Sequence, residues 1–311
     1  MTPLRIPACF HPTRVVLVDD NPAFLKSLQD TLAAHQISCT SFESPLLALQ
    51  YLSALPTHNP LLTALQQAEN KIYEEPLPEH LALMSLQKIS QDPHRHQAIT
   101  LVISDYDMPE ITGDLFFTAF KHPHIKKIML TGHADYEMAV QLFNQRVIDN
   151  FLVKEVFSIT EGLPPLVRTL QQQYFTDLCA QVTDTLFTDH PYVLGPDYHH
   201  LLTRVLSKHK ITEHYTVSKN GSKYLKDAQG QSYHLALATA DELAGFLQTA
   251  ELACAPADVL TKLRAKTHMP VLLSPKALKL PPTQWAAYLE PIEKAVLEGC
   301  EVGWVMHQSN A

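Results

Sequence analysis

The sequence has no long hydrophobic run and no surplus of basic charge. Among its 311 residues, apolar stretches such as 15–18 and 101–103 are far too short to cross a bilayer. The opening residues hold no long apolar segment of the kind that a secretory signal needs, so we expect no such signal. Lys and Arg number 24 against 32 Asp and Glu, which disfavours an obligate nucleic-acid binder. The composition is that of a soluble globular protein, and we expect the protein to be cytoplasmic.

Cysteine pairs and common catalytic motifs are also missing. The five cysteines are dispersed and odd in number, and no pair has zinc-like or redox-like spacing. We therefore predict five reduced thiols, as in cytosolic proteins, and we interpret Cys254 and Cys300 as small buried residues. A glycine-rich phosphate loop, a GxSxG elbow, an HExxH motif and a convincing helix-turn-helix are absent from the sequence.

The first half of the sequence alternates between short apolar runs and amphipathic segments. The predicted strands are 14–18, 38–42, 98–104, 126–131 and 149–153. The predicted helices follow Asn21 and cover 45–55, 113–121 and 134–145, with two more near 60–73 and 79–90. This alternation predicts an α/β fold with a five-stranded parallel sheet that is covered by helices on both faces. In such sheets the functional site lies at the carboxyl ends of the strands.

The second half has a different pattern. A long helix is predicted over 158–187, with an apolar stripe formed by Leu166, Leu170, Tyr174, Leu178 and Val182. Beyond it we predict a helix at 197–208, a hairpin around Asn220-Gly221, strands at 232–238 and 301–306, and helices near 240–252, 256–266 and 283–297. This is a smaller α+β domain with an antiparallel sheet. The domain boundaries predicted are 1–157, a long helix and linker at 158–194, and 195–311.

Polar residues end four of the predicted parallel strands. Their side chains are those of Asp19, Asp20, Asp105, Thr131 and Lys154. Taken singly, these residues are equally typical of a helix cap, a turn or the surface. Because the carboxyl ends of parallel strands converge, we expect three carboxylates, a hydroxyl and an ammonium to form one cluster.

Such a cluster suits the transfer of a phosphoryl group to a carboxylate. Neighbouring carboxylates repel one another, and their oxygens favour Mg²⁺. Asp105 is the predicted nucleophile. Asp20 is expected to bind the metal directly and Asp19 mainly through water, while Lys154 and Thr131 contact phosphoryl oxygens.

The segments LVDDN, SDYDMPEITG, LTGHAD and FLVK resemble the four motif regions of bacterial response-regulator receivers, over about residues 14–157. The resemblance implies a flavodoxin-like receiver with Mg²⁺ or Mn²⁺, phosphorylated by a sensor histidine kinase or a phosphotransfer protein. It implies that the main-chain carbonyl of Asp107 ligates the metal and that Phe151 is a switch aromatic that moves with Thr131. Phe151 is equally consistent with plain core. The only reactions implied are self-phosphorylation and hydrolysis of the acyl phosphate.

Two features depart from the receiver pattern. Glu155 stands where the family usually has a proline in a cis bond. Asp105 lies 85 residues after Asp20, about twice the family's usual spacing, because of an insertion at about 56–96. More loosely, the whole chain resembles proteobacterial response regulators with an uncommon output region, of the α-hydroxyketone quorum-sensing type found in Legionella.

The sequence allows two hypotheses for the function of the C-terminal domain. One is a non-catalytic output that binds a downstream protein or nucleic acid when phosphorylation changes a homodimer. Its candidate phosphate-binding residues are Arg204, Lys208, Lys210, Lys219, Lys223 and Lys226. The alternative for this basic run is a solvated hairpin face. The other hypothesis is a receiver-controlled enzyme, for which the scattered histidines offer no convincing site.

Overall fold

The computed structural model describes residues 6–55, 78–132, 136–154, 159–272 and 279–309. The chain forms two compact units. One consists of residues 11–67 and 88–180, and the other of residues 1–10, 68–87 and 181–311. Among the described helices, none combines the length and the apolar character that a membrane span requires.

The described strands and helices have the following bounds. The strands are β1 (Cys9–Phe10), β2 (Arg14–Val18), β3 (Ser38–Phe42), β4 (Ile99–Asp105), β5 (Lys126–Thr131), β6 (Asn150–Val153), β7 (Ile211–Thr216), β8 (Lys223–Asp227), β9 (Ser232–Thr239), β10 (His268–Pro270), β11 (Leu289–Pro291), β12 (Glu293–Leu297) and β13 (Cys300–Gln308). The α-helices are α1 (Pro22–Ala34), α2 (Pro45–Ser53), α3 (Pro78–Gln91), α4 (Gly113–Ala119), α5 (Tyr136–Asn144), α6 (Ile159–Leu186), α7 (Pro196–Lys208), α8 (Ala240–Leu252) and α9 (Ala257–Arg264). Short 3₁₀ helices cover Arg95–Gln97, Pro191–Leu194 and Pro282–Tyr288.

The first unit contains the parallel sheet that the alternation of strands and helices predicts. Its five strands lie in the order β3-β2-β4-β5-β6, and every neighbouring pair is parallel. Alternate residues of β2 enter opposite cores: Val15 and Leu17 pack with α1 and α6, whereas Val16 and Val18 pack with α2 and α4. Burial on both faces explains why the central strands β2 and β4 read as mainly apolar runs.

Side-chain caps fix where two helices begin at the carboxyl edge of this sheet. The Asn21 side chain accepts hydrogen bonds from the main-chain N–H groups of Ala23 and Phe24, so α1 starts directly after β2. Ser44 caps α2 in the same way. Prolines in the first turn of both helices suit these starts, because that turn has no use for their missing N–H.

The second unit contains the antiparallel sheet that was predicted, with more strands than expected. Six strands lie in the order β1-β7-β8-β9-β13-β12, and β10 pairs with β11 in a separate ladder. The N-terminal strand β1 was not predicted. It is two residues long, with Cys9 opposite Tyr215, and a strand of that length has no readable pattern.

The predicted helix at 283–297 is wrong. The structure has a 3₁₀ helix, Pro282–Tyr288, followed by β11 and β12. Pro291 would break an α-helix at its centre. The two residues between β12 and β13, Glu298 and Gly299, have φ values of 47° and 81°, and such left-handed pairs close tight hairpins.

Other expectations have mixed outcomes. The helix predicted near 79–90 is present as α3, and the one near 60–73 lies outside the described residues. All five cysteines are free thiols, but Cys254 is exposed and Cys300 is half-buried, so the expectation that both are buried is wrong. Cys254 follows α8 with a φ of 53°, and the residue that ends a helix in this way commonly faces solvent.

Candidate functional site

The parallel register brings four strand ends to one edge of the sheet. Asp105 is the last residue of β4 and pairs with Leu130, and Thr131 is the last residue of β5 and pairs with Val153. Asp19 directly follows β2, and Lys154 directly follows β6. Asp105 and Thr131 therefore end their strands, Asp19 and Lys154 lie one residue beyond theirs, and Asp20 lies two residues beyond β2.

An ammonium joins two buried carboxylates at this edge. Lys154 Nζ lies 2.8 Å from Asp19 Oδ2 and 2.9 Å from Asp105 Oδ1. Asp19 and Asp105 are only 1% and 4% exposed. The other oxygen of Asp19, Oδ1, accepts a hydrogen bond from the main-chain N–H of Asn21 at 2.9 Å. Both oxygens of Asp19 thus have partners within the protein.

Three carboxylates lie close enough to share one cation. Asp19, Asp20 and Asp105 each offer an oxygen, and these atoms all lie within 4.8 Å of one another. No other set of three or more His, Cys, Asp or Glu side chains meets this condition in the part of the chain that is described. Asp20 is exposed and gives the cluster an opening to solvent. Three negative charges against one ammonium fit a hard divalent cation with oxygen ligands.

Burial and charge shift the titration of the two central groups. Burial raises the pKa of the Asp105 carboxyl above its ordinary value, and Lys154 offsets this only in part. Burial acts to lower the pKa of Lys154, but its hydrogen bonds to Asp19 and Asp105 outweigh that effect, so the pKa is raised. Lys154 is therefore a permanent cation beside a carboxylate whose negative charge needs further compensation.

The loop after Asp105 packs tightly beneath it. The Tyr106 N–H donates to Leu130 O at 2.8 Å, and the Gly113 N–H donates to Tyr106 O at 2.9 Å. A Cβ atom on Gly113 would lie 2.4 Å from the main-chain oxygen of Asp105. The sequence reasoning missed this requirement for glycine, although Gly113 ends the motif that contains Asp105. Asp107 is exposed in the same loop.

The remaining predicted receiver residues lie close to this edge. Thr131 is buried, and the main-chain N–H of Lys154 donates to its carbonyl at 2.8 Å. Phe151 is partly buried and packs against the core on the α2 and α4 side of the sheet. The bond between Lys154 and Glu155 lies outside the described residues. The ring of Phe24, which was not predicted as a site residue, lies under Lys154, with Nζ 4.4 Å from the ring centroid.

The six predicted basic residues of the second unit do not form one exposed patch. Arg204, Lys208 and Lys210 are exposed at or just beyond the end of α7. Lys223 is buried, with Nζ 2.9 Å from the hydroxyl of Thr216, so it cannot meet a phosphate at the surface. The other two are half-buried: Lys219 lies 3.7 Å from Asp189, and Lys226 lies 5.6 Å from the Tyr224 ring centroid.

Comparison with known proteins rests on structure. No protein-family model matches the chain, and no curated protein matches it in sequence. The response regulator LqsR of Legionella pneumophila is similar over 99% of this chain and 91% of its own, with a TM-score of 0.75 and 22% identity. The two chains therefore share their fold over the whole length.

Isolated receiver domains align with about half of the chain. A CheY-like receiver from Methanospirillum hungatei is 20% identical over 52% of this chain and 96% of its own, with a TM-score of 0.33. The receiver of an HD-domain protein from Pseudomonas fluorescens is 19% identical over 52% of this chain and 98% of its own, with a TM-score of 0.35.

Proposed function

We propose that this chain is a cytoplasmic response regulator of a two-component phosphorelay, and that it carries a phosphoryl group on Asp105. The observation that supports the proposal is the buried Asp105 carboxylate at the carboxyl edge of a parallel sheet, paired with Lys154 and within reach of Asp19 and Asp20. We propose residues 1–157 as the receiver, 158–194 as the connection and 195–311 as the output domain. The donor is a phosphohistidine of a sensor kinase or phosphotransfer protein.

The proposed reaction moves a phosphoryl group from nitrogen to oxygen. A carboxylate oxygen of Asp105 attacks the phosphorus, and a P–O bond forms as the P–N bond to the donor imidazole breaks. The electron pair of that bond goes to the imidazole nitrogen, which takes up a proton. Lys154 and the hydroxyl of Thr131 bind the phosphoryl oxygens as charge develops on them.

The carboxylates of the cluster differ in how they would coordinate Mg²⁺ or Mn²⁺. We assign direct binding to Asp20 and Asp105, with the main-chain carbonyl of Asp107. Asp19 contributes through water, since its two oxygens already contact Asn21 and Lys154. The bound cation supplies electrostatic stabilisation of the phosphoryl oxygens. Phosphorylation without added divalent cation would contradict this assignment.

Replacing Asp20 with alanine is expected to weaken metal binding at least about 10-fold, because one of few charged ligands is lost. Titration calorimetry with Mg²⁺ or Mn²⁺ measures the affinity in both proteins. Asp30→Ala is the matched control, because Asp30 is an exposed carboxylate of α1 that forms an exposed i,i+4 ion pair with Lys26. Equal affinity in wild-type protein and Asp20→Ala would remove Asp20 from the site.

We also propose that phosphorylation strengthens a homodimer. The stripe on α6 does not supply the contact surface over its described part, because Leu170 and Leu178 are buried and Leu166 and Tyr174 pack against the cores of the first unit. On α5, by contrast, Val140 and Phe143 are 57% and 43% exposed. This helix lies in the 134–170 region through which receivers commonly pair, and movement of Thr131 and Phe151 would reshape it.

Light scattering with and without beryllofluoride tests this dimer. We expect a larger mass with the phosphoryl mimic, and we expect Phe143→Asp to stay monomeric in both conditions because a buried charge at an apolar interface is unfavourable. Leu252→Asp is the control, since Leu252 is 80% exposed in the second unit. A wild-type monomer in both conditions would mean that phosphorylation acts within one chain.

The output domain is proposed to bind a downstream protein within a quorum-sensing pathway. The pathway rests on the sequence resemblance to α-hydroxyketone regulators and on the structural similarity to the Legionella response regulator over the whole chain. Nucleic-acid binding is the less favoured alternative, because Lys223 is buried and Lys219 forms an ion pair, which reduces the exposed basic surface. We therefore propose a protein partner. Capture of the output partner by phosphorylated protein, but not by Asp105→Asn protein, is the expected result.

A further inference from the structure

Phe24 is an apolar residue whose ring lies beside the charged side chains of the acidic cluster. It is in the first turn of α1, four residues after Asp20. The Asn21 cap fixes this turn, because the Asn21 side chain accepts the Phe24 N–H at 3.2 Å. The ring is partly buried and packs against the core between the sheet and helices α1 and α6. Cap and core together hold the ring at the edge of the site.

The face of this ring meets the ammonium of Lys154. Nζ lies 4.4 Å from the ring centroid, within the range of a cation–π contact. The same nitrogen lies 2.8 Å from Asp19 and 2.9 Å from Asp105. Two carboxylates and one aromatic face therefore surround the ammonium: Asp19 follows β2, Asp105 ends β4 and Phe24 lies in the first turn of α1.

An aromatic face differs from a third carboxylate in what it does to the ammonium. It attracts the cation without adding a full negative charge to a site that must accept an anionic phosphoryl group. The aromatic face also keeps its contact with Lys154 when phosphoryl oxygens replace a carboxylate as the hydrogen-bond partner of the ammonium. A lysine side chain has a flexible four-carbon stem and loses much conformational entropy when it is fixed. A permanent contact with the ring therefore restricts the positions that the ammonium can occupy.

We propose that Phe24 is a positioning residue that holds Lys154 at the mouth of the acidic cluster for phosphoryl transfer. The inference rests on the proposed function of Asp105. The ring acts through its electrostatic face, so its shape alone does not account for the effect.

Graded fluorination of the ring separates its electrostatic contribution from the contribution of its shape. Phenylalanines with one, two and three fluorines at position 24 keep nearly the same shape but progressively weaken the negative face of the ring. The logarithm of the rate of phosphorylation by acetyl phosphate, with saturating Mg²⁺, is expected to fall stepwise along this series. Phe24→Leu is expected to be about 2- to 30-fold slower than wild type, the range that corresponds to one cation–π contact. Phe24→Trp is expected to restore the rate.

Phe42 provides the matched control. It is also partly buried in the first unit and contacts Tyr51 with ring centroids 5.2 Å apart. Fluorination at position 42 should leave the rate unchanged. A flat series at position 24, with active wild-type protein, would overturn the role of Phe24 and leave the proposed function standing. Wild-type protein that takes up no phosphoryl group would overturn both.

Discussion

Replacing Asp105 with asparagine is expected to abolish uptake of a phosphoryl group while the protein stays folded. Asparagine keeps the shape of the side chain but lacks the nucleophilic oxygen. The substitution removes the ion pair of Asp105 with Lys154 but also the repulsion between two buried carboxylates, and Lys154 keeps Asp19 as its partner, so stability should change little. Incubation with labelled acetyl phosphate and Mg²⁺ measures uptake, and thermal unfolding followed by circular dichroism measures stability.

The Asp30→Asn variant controls for loss of a carboxylate elsewhere in the first unit. Asp30 is exposed on α1 and pairs with Lys26, away from the strand ends. We expect it to take up phosphate like the wild type. Uptake at the wild-type level in the Asp105→Asn protein would show that another residue is the acceptor.

The Gly113→Ala substitution is expected to damage both stability and phosphorylation. The new Cβ would lie 2.4 Å from Asp105 O and 3.0 Å from Tyr106 Cα, and both are main-chain atoms that cannot rotate away. Overpacking of this kind costs about 1–3 kcal/mol of folding free energy. The loop that carries the acceptor must shift, and a displacement of about 1 Å can slow a reaction on the order of 100-fold.

Gly132→Ala is a stringent comparison because Gly132 follows Thr131 at the same edge of the sheet. A Cβ atom there would have no neighbour within 4 Å. We expect wild-type stability by thermal unfolding and a wild-type rate of phosphorylation for this variant. If Gly113→Ala behaved like Gly132→Ala in both assays, the close contact of Gly113 with the main chain of Asp105 would not matter for stability or phosphorylation.

The parallel unit was predictable because its central strands, β2 and β4, are buried on both faces. The strands β2 and β4 read as apolar runs that stop at Asp19 and Asp105, and the apolar residues of β6 stop at Lys154. The order of these ends along the chain then predicts one cluster. The helix starts were equally readable, since Asn21 and Ser44 are followed directly by proline.

The features that sequence reasoning missed depend on contacts between distant residues. Nothing in the local pattern shows that Lys223 is buried, because a lysine in a hairpin strand is normally solvated. The helix predicted at 283–297 contains Pro291, which breaks an α-helix, and the left-handed backbone of Glu298 and Gly299 closes a hairpin there instead. The roles of Gly113 and Phe24 appear only when the strand ends are brought together in three dimensions.

Reductive trapping identifies the residue that carries the phosphoryl group. Borohydride reduces an aspartyl phosphate to homoserine, so protein phosphorylated with acetyl phosphate and Mg²⁺ is reduced, digested and mapped by mass spectrometry. We expect homoserine at position 105, dependent on the divalent cation and absent without the phosphodonor. Homoserine at another aspartate, or none in protein that has taken up phosphate, would contradict it.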